Sequence, residues 1–459
     1  MNNKQAFIQE LYKEQSTFSS LGQAEMVASL LDIVSSDIYS ESQRFVFELI
    51  QNADDAAKDS SNVVHFDFLP NCLIVSHNGI PFNKNDIKSL AGAGASTKRS
   101  DPTKTGYKGI GFKSVFGKSE RVTIFSDNYQ FRFDKSAHKA KLPWQIIPIW
   151  TEKKDLATEI QSTISKSRFS VSTIIEIKNS DILLEDLKKL LSNGQMLLFL
   201  RRVSKISVSN NGKVIFSIEK KIISQDTSFN EVSLYKNENK ISSWVTKTFD
   251  KIPISNEIKE KLRQDEKMPD KLKESDFTEI SFAAKVEQGK LVKLQKEESL
   301  IFTYLPTKVT DFKFPFLING SFFTNAAREE LHQDSSWNKW LFKLIAEKNI
   351  DWLEILSKGK FKFQILELLP TELSDLNNEL KKSFNHSLEK AAKEKAFIPS
   401  KSLKLKKPSE MIVDNTGLSD LTCIAPEIIV KFINQKESIN FEIDSFVNSK
   451  LQLAKNLSL

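Results

Sequence analysis

Glu48, Asn52 and Asp55 stand at i, i+4 and i+7 within ELIQNADDA. At about 100° per residue, that spacing gathers a carboxylate, an amide and a second carboxylate within about 60° on one helix face. Leu49, Ile50, Ala53 and Ala57 fall on the opposite side, which predicts packing on a sheet. Further along, GYKGIGFK spaces Gly106, Gly109 and Gly111 so that successive backbone N–H groups can turn toward an anion at a helix start, with Lys108 and Lys113 as mobile cations. Between the two lies LIVSHNGIPF (73–82), a strand exit where Gly79 lets the backbone approach a flat ligand closely. The order is acidic helix, glycine-marked strand exit, then anion-binding turn.

Each segment alone has a plainer reading: a solvated acidic helix face, a simple strand exit, a tight turn. The glycine spacing is not a P-loop, since GxxxxGK[ST] is absent, and no βαβ unit surrounds it as a dinucleotide fingerprint requires. The HRD and DFG partners of a kinase loop occur nowhere in the chain.

Periodicity supplies the elements that must position these residues. Residues 24–58 read as helical, with an apolar stripe through Val27, Leu30, Leu31 and Ile33, an interruption near Ser35–Ser40 and a second helix from about Glu41. Val63–Phe68 and Leu73–Ser76 form paired strands about Pro70-Asn71, and Asn83 with Asp86 three residues on marks the next helix start as nearly a capping box. The stretch Ala91–Thr105 is too polar and glycine-rich for a core element and reads as a lid. Val122–Ser126 and Tyr129–Asp134 flank Asp127-Asn128 as a hairpin, and a strand over Ser172–Ile177 carries Thr173. Helix, hairpin, helix, loop, helix, hairpin and strand predict an α+β sandwich rather than an alternating βαβ chain. This first block spans 1–185. A second, 186–340, has strands at Ile206–Val208, Val214–Ile218, Ile280–Val286 and Leu300–Tyr304 around a lysine-rich polar interval near 250–275. Residues 341–459 read as mainly helical, with Trp352, Leu353 and Leu356 at helix spacing, and the uncapped end LQLAKNLSL suggests a piece of a longer protein.

Composition bounds the class. The 459 residues are 40% hydrophobic with only 14 Gly and 13 Pro, enough to bury the cores of several domains. Lys and Arg exceed Asp and Glu by 66 to 59, a mixed net charge of +7 that permits nucleic-acid contact without arguing for it. Cys72 and Cys423 are far apart, and the five histidines show no paired-ligand spacing, so metal chemistry must rest on oxygen ligands. The charged start and the lack of an apolar run of about 18 residues argue against export and membrane insertion and point to the cytoplasm.

ELIQNADDA, HNGIPF, GYKGIGFKSVF and STIIEI together resemble the four nucleotide-binding motifs of the GHKL ATPases, the superfamily of gyrase B subunit, the ninety-kilodalton heat-shock chaperones, MutL and histidine kinases. The sacsin-like branch is the most similar variant, and LLFLRRVSKI and PFLINGSFFTNAAREEL also resemble the region after the ATPase fold in that branch. The resemblance covers about residues 20–340. It implies a Bergerat-type α/β sandwich over 1–185, a transducer-like α/β middle domain over 186–340, and ATP with Mg²⁺ as cofactors. Glu48 would be the general base on the attacking water, Asn52 the metal anchor, and Asp55 a supporting contact. Gly106, Gly109 and Gly111 would supply phosphate-binding amides, with Lys98, Lys108, Phe112 and Lys113 around them, and Thr173 a hydroxyl near adenine. The usual motif is DxGxG, whose Asp accepts from the adenine amino group; here His77 stands at that Asp and Pro81 replaces the second glycine. A neutral imidazole nitrogen can accept and an imidazolium cannot, so His77, Asn78 or a water reads the base beside Gly79.

Chaperone-type members bring a middle-domain arginine to the γ-phosphate, and Arg328 in AAREEL has a similar context; a surface pair with Glu329 or Glu330 is its other reading. In gyrase and MutL types a lysine takes that γ-phosphate role, and Lys308 in LPTK is the one attractive candidate for it. The resemblance implies an ATPase that switches conformation, closes a lid, forms a nucleotide-dependent homodimer and acts on a protein client. A DNA clamp of the gyrase or MutL kind, or a non-hydrolysing nucleotide-gated module of a defence or restriction-like system, are the alternatives. Glu48 argues against the latter. Histidine-kinase chemistry lacks its phosphoacceptor, since no histidine precedes His65.

Overall fold

The computed structural model describes residues 3–37, 44–92, 111–138, 141–178, 180–225, 228–325, 330–370, 373, 377–400, 402–413, 425–437 and 446–447. They fall into two compact units. One comprises Met1–Lys221, Leu234–Ile241 and Pro269–Ser275, and the other Ile222–Ser233, Ser242–Met268 and Asp276–Leu459.

In the first unit, helices α1 (Asn3–Ser16), α2 (Leu21–Asp37) and α3 (Arg44–Asp55) precede β1 (Asn62–Leu69), β2 (Cys72–His77) and α4 (Lys84–Leu90). A 3₁₀ helix, Gly111–Gly117, leads into β3 (Arg121–Ser126), β4 (Tyr129–Asp134), β5 (Ile149–Trp150), α5 (Thr158–Lys166) and β6 (Val171–Glu176). Next come α6 (Ser180–Leu190), β7 (Val203–Asn210) and β8 (Lys213–Gln225), of which the residues to Lys221 belong to this unit. The strands lie in the order β5-β4-β3-β6-β2-β1-β7-β8. Every neighbouring pair is antiparallel except β1 and β7, which run parallel, so the fold is mixed α+β.

Local chemistry explains the joints. Pro70-Asn71 turns β1 into β2 with Leu69 opposite Cys72, and Asp127, at φ +53°, takes the left-handed conformation a two-residue hairpin needs between Ser126 and Tyr129. Asn83 caps α4 by accepting from the N–H groups of Asn85 and Asp86, and the Asp86 carboxylate accepts from the Asn83 N–H, completing the capping box.

Opposed residues on neighbouring strands point to the same side. One row therefore runs Phe131, Ile124, Thr173, Val75, Phe66 across β4, β3, β6, β2 and β1, and the next row on that face contains Ser126, Val171, His77 and Val64. The 3₁₀ helix covers this face, its Phe116 meeting Phe133 edge to face at 5.4 Å. On the opposite face Leu69, Cys72, Ile74, Phe125 and Ile174 pack against Ile164 of α5.

Strands β9 (Asn230–Lys236) and β10 (Asn239–Pro253) have residues in both units. Within the lysine-rich interval near 250–275, α7 (Asn256–Gln264) starts at Ser255, whose hydroxyl accepts from the Ile258 N–H, and buries Ile258 and Leu262. A short α8 (Asp270–Glu274) comes next. The second unit then adds β11 (Phe277–Glu287), β12 (Lys290–Val292), β13 (Ile301–Thr303), β14 (Leu305–Pro306), β15 (Leu317–Gly320), α9 (Ser336–Lys358) and α10 (Glu379–Glu394). Phe282 of β11 stacks on Trp352 of α9 at 5.1 Å, and Phe316 sets its edge on both. No helix among the described residues is long and apolar enough to cross a membrane.

Candidate functional site

Helix α3 turns Leu49, Ile50 and Ala53 into the core and leaves Glu48 and Asn52 half-buried, while Asp55 is buried. Its C-terminal end is fixed at the exit of β2: the Ile80 N–H donates to the Ala56 carbonyl at 2.7 Å. Gly79 permits that approach, because a Cβ there would lie 2.8 Å from the Ala56 oxygen. The C-terminal end of α3 is thereby tied to the His77-Asn78-Gly79 turn.

His77 is buried, and its Nδ1 accepts from the Gly79 N–H at 3.2 Å. Burial pushes its pKa down to about 4, so the ring is neutral at neutral pH. With Nδ1 accepting, the ring proton sits on Nε2, which leaves His77 a donor to offer rather than an acceptor. Asn78 is also committed, its Oδ1 accepting from the Val63 N–H at 2.7 Å. Thr173 is buried beside Val75, on the face that carries His77.

Lys113 departs from the expectation of a mobile cation. Its side chain is buried, and Nζ donates to the carbonyls of Leu90 and Gln145, at 2.5 and 2.9 Å, while lying over the rings of Phe116 and Phe133. The apolar wall makes this ammonium depend on those carbonyls, and burial lowers its pKa to about 7. Phe112 meets Phe116 edge to face at 5.9 Å, and Gly111 opens the 3₁₀ helix. Lys308 is exposed in the second unit. Lys98, Gly106, Lys108, Gly109 and Arg328, with 93–105 of the expected lid, lie outside the described residues.

Sequence reasoning passed over Asp54. Its carboxylate is buried and accepts the N–H groups of Arg201, Arg202 and Val203. The acidic doublet in NADDA was the available signal: at about 100° per residue Asp54 lies about 100° or more round the helix from each of Glu48, Asn52 and Asp55, off the face those three share.

Among the described residues no group of three His, Cys, Asp or Glu side chains is placed to hold a metal ion. An ion here would rest on the Asn52 amide oxygen, phosphate oxygens and water, a donor set that suits Mg²⁺.

Residues 23–181 match the family model described as the Sacsin domain. Over 329 residues the chain is 27% identical to Protein NO VEIN of Arabidopsis thaliana, covering 68% of this chain and 11% of that protein. Over 268 residues it is 27% identical to Sacsin of Homo sapiens, covering 47% of this chain and 6% of that protein. The chain thus spans about a tenth or less of the curated relatives it matches. The sacsin-like span contains Glu48, Asn52, Asp54, Asp55, His77, Asn78, Gly79, Phe112, Lys113 and Thr173, whereas Lys308 and Arg328 fall beyond it.

Proposed function

We propose that this chain is a magnesium-dependent ATPase of the GHKL type that acts as a nucleotide-gated switch. The observation that supports it most is the half-buried pair Glu48 and Asn52 on a helix whose end is tied to the His77-Asn78-Gly79 turn. That arrangement supports the reading because a nucleotide floor needs a polar helix face held against a glycine turn, and the likeness of residues 23–181 to the Sacsin domain agrees with the motif resemblance.

In this reading Asn52 holds the metal with the phosphates. Glu48, one helical turn earlier, orients the attacking water and takes its proton. Mg²⁺, when bound, supplies charge neutralisation at the phosphoryl oxygens. Arg328 is proposed as the cation at the γ-phosphate, with a homodimer and a protein client as the switch's outputs. A cation touching only the γ-phosphate distinguishes ATP from ADP, which a switch requires.

The test is Mg²⁺-dependent ATP turnover and nucleotide binding for the wild type, Glu48→Ala and Asn52→Ala. Glu48→Ala is expected to bind normally and lose about 10²-fold or more of turnover, while Asn52→Ala loses binding. Wild-type turnover in Glu48→Ala would overturn the assignment.

A further inference from the structure

The last turn of α3 carries a carboxylate with no part in the polar helix face. Asp54 is 3% exposed, and both of its oxygens are occupied by one turn of chain. Oδ2 accepts from the Arg201 N–H at 3.0 Å, and Oδ1 from those of Arg202 at 2.8 Å and Val203 at 2.7 Å. Three successive amides aimed at one carboxylate form an anion-binding nest, here filled by the protein's own side chain. Lys220 of β8 holds the same turn, its Nζ donating to the Leu200 carbonyl at 2.6 Å. Asn62 completes the junction: Nδ2 donates to the Ala53 carbonyl at 2.6 Å, and the backbone N–H donates to the Arg202 carbonyl at 3.1 Å.

We infer that Asp54 is a positioning residue that fixes α3 against the start of β7 and so sets where Glu48, Asn52 and Asp55 stand. Its catalytic consequence rests on the proposed ATPase reading; the mechanical link does not. Losing the carboxylate strands three buried N–H donors, and the only way to rewet them is to separate the helix end from the turn. Asparagine is a poor replacement, since it keeps one acceptor oxygen and points an NH₂ group at N–H donors. A displacement of about 1 Å at a reacting group costs up to about 10²-fold in rate, so a link remote from the chemistry can govern turnover.

The experiment combines amide hydrogen exchange with steady-state ATP turnover on the full chain, for Asp54→Asn and the milder Lys220→Gln. In Asp54→Asn, exchange at 201–203 and along 48–55 is expected to quicken by about tenfold or more, while β3 and β4 stay protected as proof of folding. The kcat falls by about tenfold or more with KM changed only a few-fold, the mark of misplacement rather than lost binding. Lys220→Gln changes both quantities in the same direction by a smaller factor and covers the case in which Asp54→Asn does not fold. Unaltered exchange in the two variants, or unaltered kcat in a folded Asp54→Asn with faster exchange, overturns the inference. A wild type that never turns over ATP rejects the proposed function instead, and exchange along 48–55 still decides whether Asp54 holds α3.

Discussion

The backbone N–H of Gly79 donates to Nδ1 of His77 across 3.2 Å. That bond decides the tautomer of a neutral ring, and burial keeps the ring neutral by holding its pKa near 4. Nucleotide affinity is therefore expected to show no step near the ordinary histidine pKa of about 6.5. Titration calorimetry across that range checks this, and a loss of affinity centred there would return His77 to an accepting role.

The same shift predicts a pH dependence of folding. The unfolded chain binds a proton at His77 below about 6.5 and the folded chain only below about 4, so stability present above 6.5 declines as pH falls through that window. The decline amounts to about 3 kcal/mol at most. Urea denaturation of the wild type and His77→Gln at several pH values measures it: the difference between the two should narrow or reverse toward pH 4, and parallel curves would refute it.

Gly79→Ala is expected to destabilise by about 1–3 kcal/mol, because the new Cβ would meet a main-chain oxygen, Ala56 O, that already accepts from Ile80. Gly22→Ala provides the contrast. Nothing lies within 4 Å of a Cβ there, on α2, so the change is expected to be neutral or stabilising by up to about 1 kcal/mol. Denaturation midpoints rank the two variants, and an equal response would remove the close-approach argument.

Lys113→Met tests whether a buried ammonium holds the fold. It removes two donors to the Leu90 and Gln145 carbonyls while keeping the stem's volume, and a loss of about 1–3 kcal/mol is expected. Because burial lowers the lysine's folded pKa to about 7, the unfolded state binds more protons between there and the ordinary lysine range, and wild-type stability relative to the variant rises with pH across that interval. Thermal melts at pH 7 and 9 read the sign.

Much of the first unit was legible because its signals are local. Pro70-Asn71, Asp127-Asn128 and the Asn83/Asp86 box each specify a joint within a few residues, and the observed elements agree with them. Lys113 was misread as mobile because a lysine's chemistry in a glycine motif suggests solvent, whereas its fate depends on Phe133 and Gln145, whose approach no local pattern encodes. The role of Asp54 needed the 201–203 amides, almost 150 residues away. Helix α7 escaped notice because lysines and glutamates outnumber its two core positions, although Ser255 and the Ile258–Leu262 spacing were there to be read.

The parallel pairing of β1 with β7 joins Asn62–Phe68 to Val203–Asn210, a span of roughly 140 residues that must be synthesised before that edge can close. On the ribosome, the strand beside the HNGIPF turn waits with one row of N–H and C=O groups open, and open rows of that kind recruit other chains. A fragment ending at 185 would make that waiting permanent, with the Asp54 carboxylate also left without its amides. Carrying the chain past Asn210 thus covers that edge of β1 and gives Asp54 back its three amides.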